Sequence, residues 1–137
     1  MSLTWRADSS WPISGAPKQR TGHTATLVHD FVVIFGGSWA DGTCTAEVHI
    51  LNPVTSVSYA VYPNGEAPRP RLGHAACAIE ENHQVWYFGG GDGRVLLNDV
   101  WMLSRTEASV LDGWQSSEWR SRSCTCLLYT SPSPRDS

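Results

Sequence analysis

An internal repeat with a period near 50 residues constrains the fold more than any other feature of the sequence. Residues 11–25 align with residues 62–76 at an offset of 51, and Pro, Ala-Pro, Arg, Gly-His and Ala coincide. Two further landmarks follow in the same order. An apolar run that ends in Gly-Gly recurs at an offset of 53, in residues 32–37 and 85–90. A Val-containing stretch recurs at an offset of 52, in residues 46–51 and 98–103. Because three landmarks recur in one order, the chain contains two copies of one structural unit.

The residue pattern of each copy predicts four short strands and no helix. Runs of β-branched, aromatic and small apolar residues are bounded by Gly, Pro, Asn and Asp, which is typical of strands joined by turns. No segment sustains an apolar period of 3.6 residues, so helix is expected to be essentially absent. The predicted strands are residues 22–28, 31–35, 48–51 and 57–62 in the first copy, and residues 73–79, 84–88, 100–103 and about 114–119 in the second. In the last strand, Trp114 and Trp119 compete for one aromatic position.

The repeat resembles the kelch repeat, through Arg-x-Gly-His, an apolar strand ending in Gly-Gly, and an Asn-Asp-Val-Trp-like third strand. The motif positions are Gly22, His23, Gly36, Gly37, Gly73, His74, Gly89, Gly90 and Trp101. The resemblance implies that each copy is one blade of a β-propeller, a four-stranded antiparallel sheet. The expected fold class is therefore all-β: a partial kelch-type β-propeller with two four-stranded antiparallel blades plus a leading fourth strand, not closed.

The expected organisation follows the repeat. Residues 1–19 supply the leading strand and loop of a neighbouring blade, residues 20–67 form blade one, and residues 68–120 form blade two. Residues 121–137 are expected to be a disordered tail, because residues 126–136 resemble a translated sequencing adapter; a native Ser/Pro-rich tail is the alternative. Met1 is either a genuine start or the product of truncation. Since closed propellers have four to eight blades, the remaining blades of the same chain are expected partners.

Composition excludes several classes of function. The chain of 137 residues has a formal net charge of −3, with one lysine against nine arginines, and so lacks the basic footprint of a nucleic-acid binder. No apolar run reaches the roughly 20 residues that span a bilayer, and residues 1–8 do not resemble a secretory signal. Four scattered cysteines indicate reduced thiols. We therefore expect a cytoplasmic protein with no nucleic acid or membrane partner and no cofactor or metal.

Propeller topology places the loops after strands two and four on one face. That face collects Trp39, Arg94, Arg20 and Arg71, and the opposite face is acidic. Trp and Arg are the residues that most often anchor protein interfaces. Trp39 and Arg94 are the best candidates for binding a protein partner. Arg20 and Arg71 recur in register, so a structural role between blades is favoured over a ring of arginines that binds an acidic motif.

The two functional hypotheses are an interaction module and a part of an enzyme. The first is a scaffold, adaptor, or trafficking or cytoskeletal effector whose propeller loops bind another protein. The second is a regulatory or catalytic propeller of a larger enzyme, with an attached phosphatase domain or a metal site in other blades. No catalytic motif occurs here, since the Gly-rich run at residues 89–93 leads into another strand and does not open a helix. The first hypothesis is therefore preferred, with no catalytic residues in this chain.

Overall fold

The computed structural model describes residues 3–5, 17–105, 114 and 117–122, with side chains described through residue 121 at the carboxyl end. These residues form two four-stranded antiparallel sheets, which confirms the predicted fold class. The first sheet contains β1 (Thr24–Val28), β2 (Phe31–Phe35), β3 (Val48–Asn52) and β4 (Val57–Val61), and the second contains β5 (Ala75–Ile79), β6 (Gln84–Phe88), β7 (Val100–Arg105) and β8 (Ser117–Arg122). Strands follow sequence order in both sheets, and the sheets are not closed into a ring.

The register brings the same positions of each repeat to the same end of its sheet. Thr24 pairs with Phe35 and Phe35 with Val48 in the first sheet. In the second sheet, Ala75 pairs with Phe88 and Phe88 with Val100. The Gly-Gly motifs, the β2–β3 and β6–β7 loops, and the segments that lead into β1 and β5 therefore share one end of the structure. We call this end the upper face and define it by residues 17–21, 38–44, 69–72 and 91–96.

The hairpin between β5 and β6 accounts for the change of offset between the repeats. The β1–β2 turn consists of His29 and Asp30, whereas four residues separate Ile79 from Gln84. The longer turn contains a single 3-10 turn at Glu80–Asn82. Each hairpin has one histidine in the left-handed region, His29 (φ 53°) in the first sheet and His83 (φ 55°) in the second. The insertion therefore lengthens the turn and leaves the strand register intact.

The core lies between the two sheets and draws on both. Phe35 of β2 packs against Tyr87 of β6 and Trp119 of β8, with ring centroids 4.6 and 5.1 Å apart. Trp119 lies in β8 opposite Leu103, whereas Trp114, also buried, precedes that strand. The register thus assigns the β8 strand position to Trp119. The buried cluster comprises Val28, Val33, Phe35, Val48, Ile50, Val61, Val85, Tyr87, Leu103, Trp114 and Trp119.

The connection between the sheets also covers a strand edge. Asn64, after β4, donates its backbone N–H to the Ser117 carbonyl (2.9 Å) and accepts the N–H of Trp119 (2.8 Å). It therefore forms a parallel bridge along the outer edge of β8. The predicted leading strand at residues 1–19 and the predicted tail lie mainly outside the described residues. No helix in the described part of the chain is long and apolar enough to cross a membrane.

Candidate protein-binding face

Arg71 occupies the centre of the second sheet's upper end and is fully buried, with 0% of its surface exposed. Its Nη1 donates to Asp99 Oδ1 at 2.6 Å and its Nη2 to Asp99 Oδ2 at 2.9 Å, a bidentate pair. Nη1 also donates to the Gly89 carbonyl (2.9 Å), and Nε donates to the Arg69 carbonyl (3.0 Å). The pair holds the pKa of Asp99 below its ordinary value, mainly through the hydrogen bond from Arg71 and against the cost of burial. Arg71 therefore fixes the start of the second sheet.

Arg20 repeats this arrangement in the first sheet. Its Nη2 donates to Glu47 Oε1 at 2.6 Å, and its Nη1 to the Gly36 carbonyl at 3.4 Å. Only 3% of the Arg20 side chain is exposed. His49 lies 3.0 Å from the same carboxylate oxygen, and Trp101 donates to Asp99 at 2.9 Å from the matching position. Burial lowers the pKa of His49, with Glu47 acting in the opposite direction.

These contacts leave Arg20 and Arg71 little surface for a partner. Each guanidinium bonds within its own sheet, and the contact between sheets at Arg71 is made by its backbone. The pairing of Arg71 with the Asp99 carboxylate was not predicted from the sequence. The signal was present in the sequence, because Glu47 and Asp99 occupy matching positions directly before the third strand of each repeat.

Trp39 lies on the upper face in the β2–β3 loop, partly exposed and flanked by two cations. Lys18 Nζ lies 4.9 Å and Arg20 Cζ lies 4.6 Å from the centre of the Trp39 ring, both over the ring. Such cation–π contacts contribute about 0.5–1 kcal/mol at exposed sites. The turn is closed by the Trp39 N–H donating to the Thr43 carbonyl and the Gly42 N–H donating to the Trp39 carbonyl. The loop therefore holds the indole in a defined orientation.

A shallow groove of about 560 Å³ opens beside this ring. Its lining residues are Gln19, Arg20, Thr21, Ser38, Trp39 and Ala40. Two of them, Thr21 and Ser38, are joined by a pair of backbone hydrogen bonds of 3.0 and 2.8 Å, which fix the groove floor. The groove thus combines a rigid backbone, one large aromatic ring and nearby positive charge.

Arg94 lies on the equivalent loop of the second sheet and is exposed. The loop is shaped by Asp92, whose Oδ1 accepts the backbone N–H groups of Val95 (3.0 Å) and Arg94 (2.9 Å). Those two hydrogen bonds are the main reason that the pKa of Asp92 is lowered. Burial, assisted by the charge of Asp92, raises the pKa of Cys44 in the β2–β3 loop. Trp39 and Arg94 therefore lie on equivalent loops of the upper face.

The second Gly-His motif lies at the seam between the two sheets. His74 Nε2 is 2.8 Å from Thr24 Oγ1 of the first sheet, and its ring centroid lies 5.0 Å from that of Phe35. Burial, helped by the charges of Arg71 and His23, lowers the pKa of His74 to about 4. The neutral imidazole is thus the form that the seam accommodates. His23, at the matching position of the first repeat, is exposed.

Gly36 permits the close approach of the two sheets. Its φ is +74°, and a Cβ atom there would lie 2.7 Å from His74 Cε1 and 2.9 Å from the Arg71 carbonyl oxygen. Any larger residue would therefore push the second sheet away. The remaining motif glycines, Gly22, Gly37, Gly73, Gly89 and Gly90, also have positive φ.

The opposite face carries a small polar cluster at the two hairpins. His29 Nε2 lies 2.8 Å from the Glu80 carbonyl oxygen, and the rings of His29 and His83 are 4.6 Å apart. Burial lowers the pKa of His83, with smaller contributions from the charges of Arg105 and His29. Among the described residues, no group of three or more His, Cys, Asp or Glu side chains is arranged to hold a metal ion.

Comparison with known proteins identifies the same repeat along the whole chain. The family model described as the KLHDC2/KLHL20/DRC7 Kelch-repeats domain matches residues 2–137. The dynein regulatory complex subunit 7 of Chlamydomonas reinhardtii is 36% identical over 85% of this chain and 9% of its own length. The serine/threonine-protein phosphatase BSL2 of Arabidopsis thaliana is 30% identical over 90% of this chain and 12% of its own. An F-box/kelch-repeat protein of the same plant is 30% identical over 77% of this chain and 23% of its own length. The chain therefore spans less than a quarter of the length of each of these relatives.

Proposed function

We propose, since this chain belongs to the kelch-repeat family, that it is a protein-interaction module that binds its partner through the upper face. The observation that carries the proposal is the state of Trp39, a tryptophan oriented by its turn and by two cations at the edge of an open groove. An aromatic ring that is already ordered loses little conformational freedom when it binds, which is why tryptophan is frequent at interface hot spots.

Charge on the upper face favours a partner segment that carries carboxylates. The guanidinium groups of Arg20, Arg69 and Arg71 are each paired with an acidic side chain. Lys18 and Arg94 are exposed, and within the described residues neither forms an ion pair with a carboxylate. A segment that places an apolar side chain against Trp39 and a carboxylate near Lys18 or Arg94 would match both features.

The more specific role that we propose is that of a scaffold, adaptor, or trafficking or cytoskeletal effector in the cytoplasm. The names of two relatives support this class, since one is a subunit of a dynein regulatory complex and the other an F-box/kelch-repeat protein. The alternative, a propeller that regulates an enzyme, rests on the phosphatase relative, of which this chain matches 12%. The full-length gene sequence distinguishes the two, because a phosphatase domain would be encoded on one side or the other of these repeats.

Affinity purification with paired variants tests the upper face. We expect Trp39→Ala/Arg94→Ala to reduce recovery of proteins that the wild-type chain captures from a cytosolic extract, by about tenfold or more. The matched control is Val54→Ala/Glu81→Ala, which removes one exposed apolar and one charged side chain from the opposite face. Equal recovery by the upper-face variant and the wild type would refute the proposed face.

A further inference from the structure

We propose that Lys18 is a modification site, and that N-acylation of its side chain weakens partner binding at the upper face. This role of Lys18 rests on the proposed function, because it regulates the face that carries Trp39. Lys18 is the only lysine of the chain. Its ammonium is therefore the only side-chain group of this sequence on which lysine acylation can act.

Lys18 reaches from the segment before β1 to the β2–β3 loop. Its Nζ lies over the Trp39 ring, 4.9 Å from the ring centre. The residue is exposed, and within the described residues its ammonium forms no ion pair with a carboxylate. The pKa of Asp41, in the same loop, is lowered mainly by the hydrogen bond from the Thr43 N–H, and the charge of Lys18 adds a smaller contribution. Lys18 therefore contacts the loop chiefly through the aromatic ring.

The second repeat places a cation at the matching position. Arg69 aligns with Lys18 at the offset of 51, and its Nε lies 3.3 Å from Asp92 Oδ2. Asp92 aligns with Trp39 at the offset of 53 that the Gly-Gly motifs share. In both repeats, a cation from the segment before the first strand therefore contacts the loop after the second strand. We call this contact the loop clamp.

The two loop clamps differ in chemistry. Arg69 is a guanidinium, which remains protonated in proteins and pairs with the Asp92 carboxylate. Lys18 is an ammonium, the group that is the usual target of acetylation, and it lies over an aromatic ring. Lysine acylation can therefore release the clamp of the first repeat and leaves that of the second repeat intact.

The reaction requires an acyl thioester as the donor. The Lys18 ammonium first loses a proton to solvent, and the amine then attacks the thioester carbonyl carbon. The new N–C bond forms and the C–S bond breaks, so a neutral amide and a free thiol are the products. Because the amide carries no charge, the cation–π contact of Lys18 with Trp39 is lost. Arg20 keeps its place over the ring, since Glu47 holds its guanidinium at 2.6 Å.

Acylation also removes an uncompensated positive charge from beside the groove. Arg20 lines the groove, but its charge is balanced by Glu47. Lys18 precedes the lining residue Gln19, and its own charge has no such partner among the described residues. We therefore expect acylation to weaken binding of an acidic partner about fivefold, through loss of an exposed cation–π contact and of charge attraction.

The single lysine allows the loop clamp to be measured without a partner. Reductive methylation with isotopically labelled formaldehyde keeps the positive charge and labels only Lys18 and the terminal amine. The Lys18→Arg chain identifies the Lys18 signal by its absence. We expect the methyl resonance of Lys18 to lie upfield of free dimethyl-lysine, because of the Trp39 ring current, and to return to the free value in Trp39→Ala. A resonance at the free value in both chains would overturn the proposal.

Binding is then compared between acetylated and methylated chains. The readout is recovery of the proteins that the wild type, but not Trp39→Ala/Arg94→Ala, captures from a cytosolic extract. Chemical acetylation of the wild type should lower this recovery about fivefold, whereas methylation, which keeps the charge, should not change it. Lys18→Arg is the matched control, because the same acetylating reagent modifies only its terminal amine. Its recovery should be equal before and after treatment.

The outcomes separate this proposal from the proposed function. Unchanged recovery by the acetylated wild type, with Trp39→Ala/Arg94→Ala still impaired, would overturn the role of Lys18 and leave the upper face as the binding surface. Equal loss of recovery by acetylated and methylated chains would also overturn it, because the charge would then not be the cause. Equal recovery by Trp39→Ala/Arg94→Ala and the wild type would overturn both proposals.

Acylation by cellular enzymes is measured with isotopically labelled acetyl-coenzyme A as the thioester. After incubation of the full chain in a cytosolic extract, mass spectrometry should find the labelled acetyl group on Lys18. The Lys18→Arg chain should carry label on its terminal amine at most. A wild-type chain without label on Lys18 would overturn the assignment of Lys18 as a modification site.

Discussion

Replacing Asp99 with alanine should lower the free energy of unfolding by about 3 kcal/mol, because it leaves the Arg71 guanidinium buried without its carboxylate. The substitution removes two charge-assisted hydrogen bonds from Arg71, at 2.6 and 2.9 Å, each of which contributes roughly 1.5–3 kcal/mol. It also removes the hydrogen bond from Trp101. The Gly89 and Arg69 carbonyl groups continue to accept from Arg71, and 39% of the Asp99 side chain is exposed to solvent. These two facts place the expected loss at the lower end of the range of roughly 3–5 kcal/mol for a broken buried pair.

Urea unfolding at one fixed protein concentration measures this loss, with a double-mutant cycle to isolate the pair. Arg71→Met should cost less than Asp99→Ala, because the carboxylate that it leaves behind is partly solvated. In the Arg71→Met background, Asp99→Ala should cost under about 1 kcal/mol, since no buried charge remains to be compensated. An Asp99→Ala loss below about 1 kcal/mol in the wild-type background, or an equal loss in both backgrounds, would refute the reasoning.

Three further predictions follow from the seam and its charges. In urea unfolding, Gly36→Ala should destabilise the chain by at least about 2 kcal/mol more than Gly42→Ala. Both glycines have positive φ, but only Gly36 lies against the second sheet. Equal losses of stability would contradict the close approach of the two sheets at Gly36. Thr24→Val should cost about 1 kcal/mol by removing the hydrogen bond to His74, and a neutral result would show that this contact contributes nothing. Because the pKa of His74 falls from 6.5 to about 4 on folding, the unfolded chain binds more protons between these values. The free energy of unfolding should therefore fall as the pH drops from 6.5 to 4, and it should fall less steeply with pH in His74→Gln. An identical dependence on pH in that variant would assign the effect to other groups.

Asp99 adds a second acid-sensitive contribution at lower pH. Its pKa is lowered by the hydrogen bond from Arg71, so the pair stabilises the fold above the ordinary carboxyl value of 3.8 and loses that contribution as pH falls further. The sensitivity of Asp99 thus begins where that of His74 ends. Unfolding curves of Asp99→Ala should therefore converge with those of the wild type below the folded-state pKa of Asp99.

The sequence by itself determined the repeat, the strand content and the end of each sheet at which the motifs meet. Residues 31–35 and 84–88 were predicted as strands from β-branched and aromatic composition, and β2 and β6 have those bounds. The local sequence is sufficient to predict these two strands, because a β-branched and aromatic run that ends in Gly-Gly has few alternatives to a strand. The choice between Trp114 and Trp119, in contrast, required the pairing of β8 with β7.

The tertiary structure alone decided which groups the charged residues contact. The sequence favoured a structural role for Arg20 and Arg71 because they recur in register, but only the structure shows the carboxylates, 27 and 28 residues away, that bind them, and the exposure of Arg94. The same holds for His23 and His74, which occupy identical motif positions and differ only in having a neighbouring sheet. The physical reason is that burial depends on which sheet packs beside a residue, and two equal copies of a repeat do not have equal neighbours.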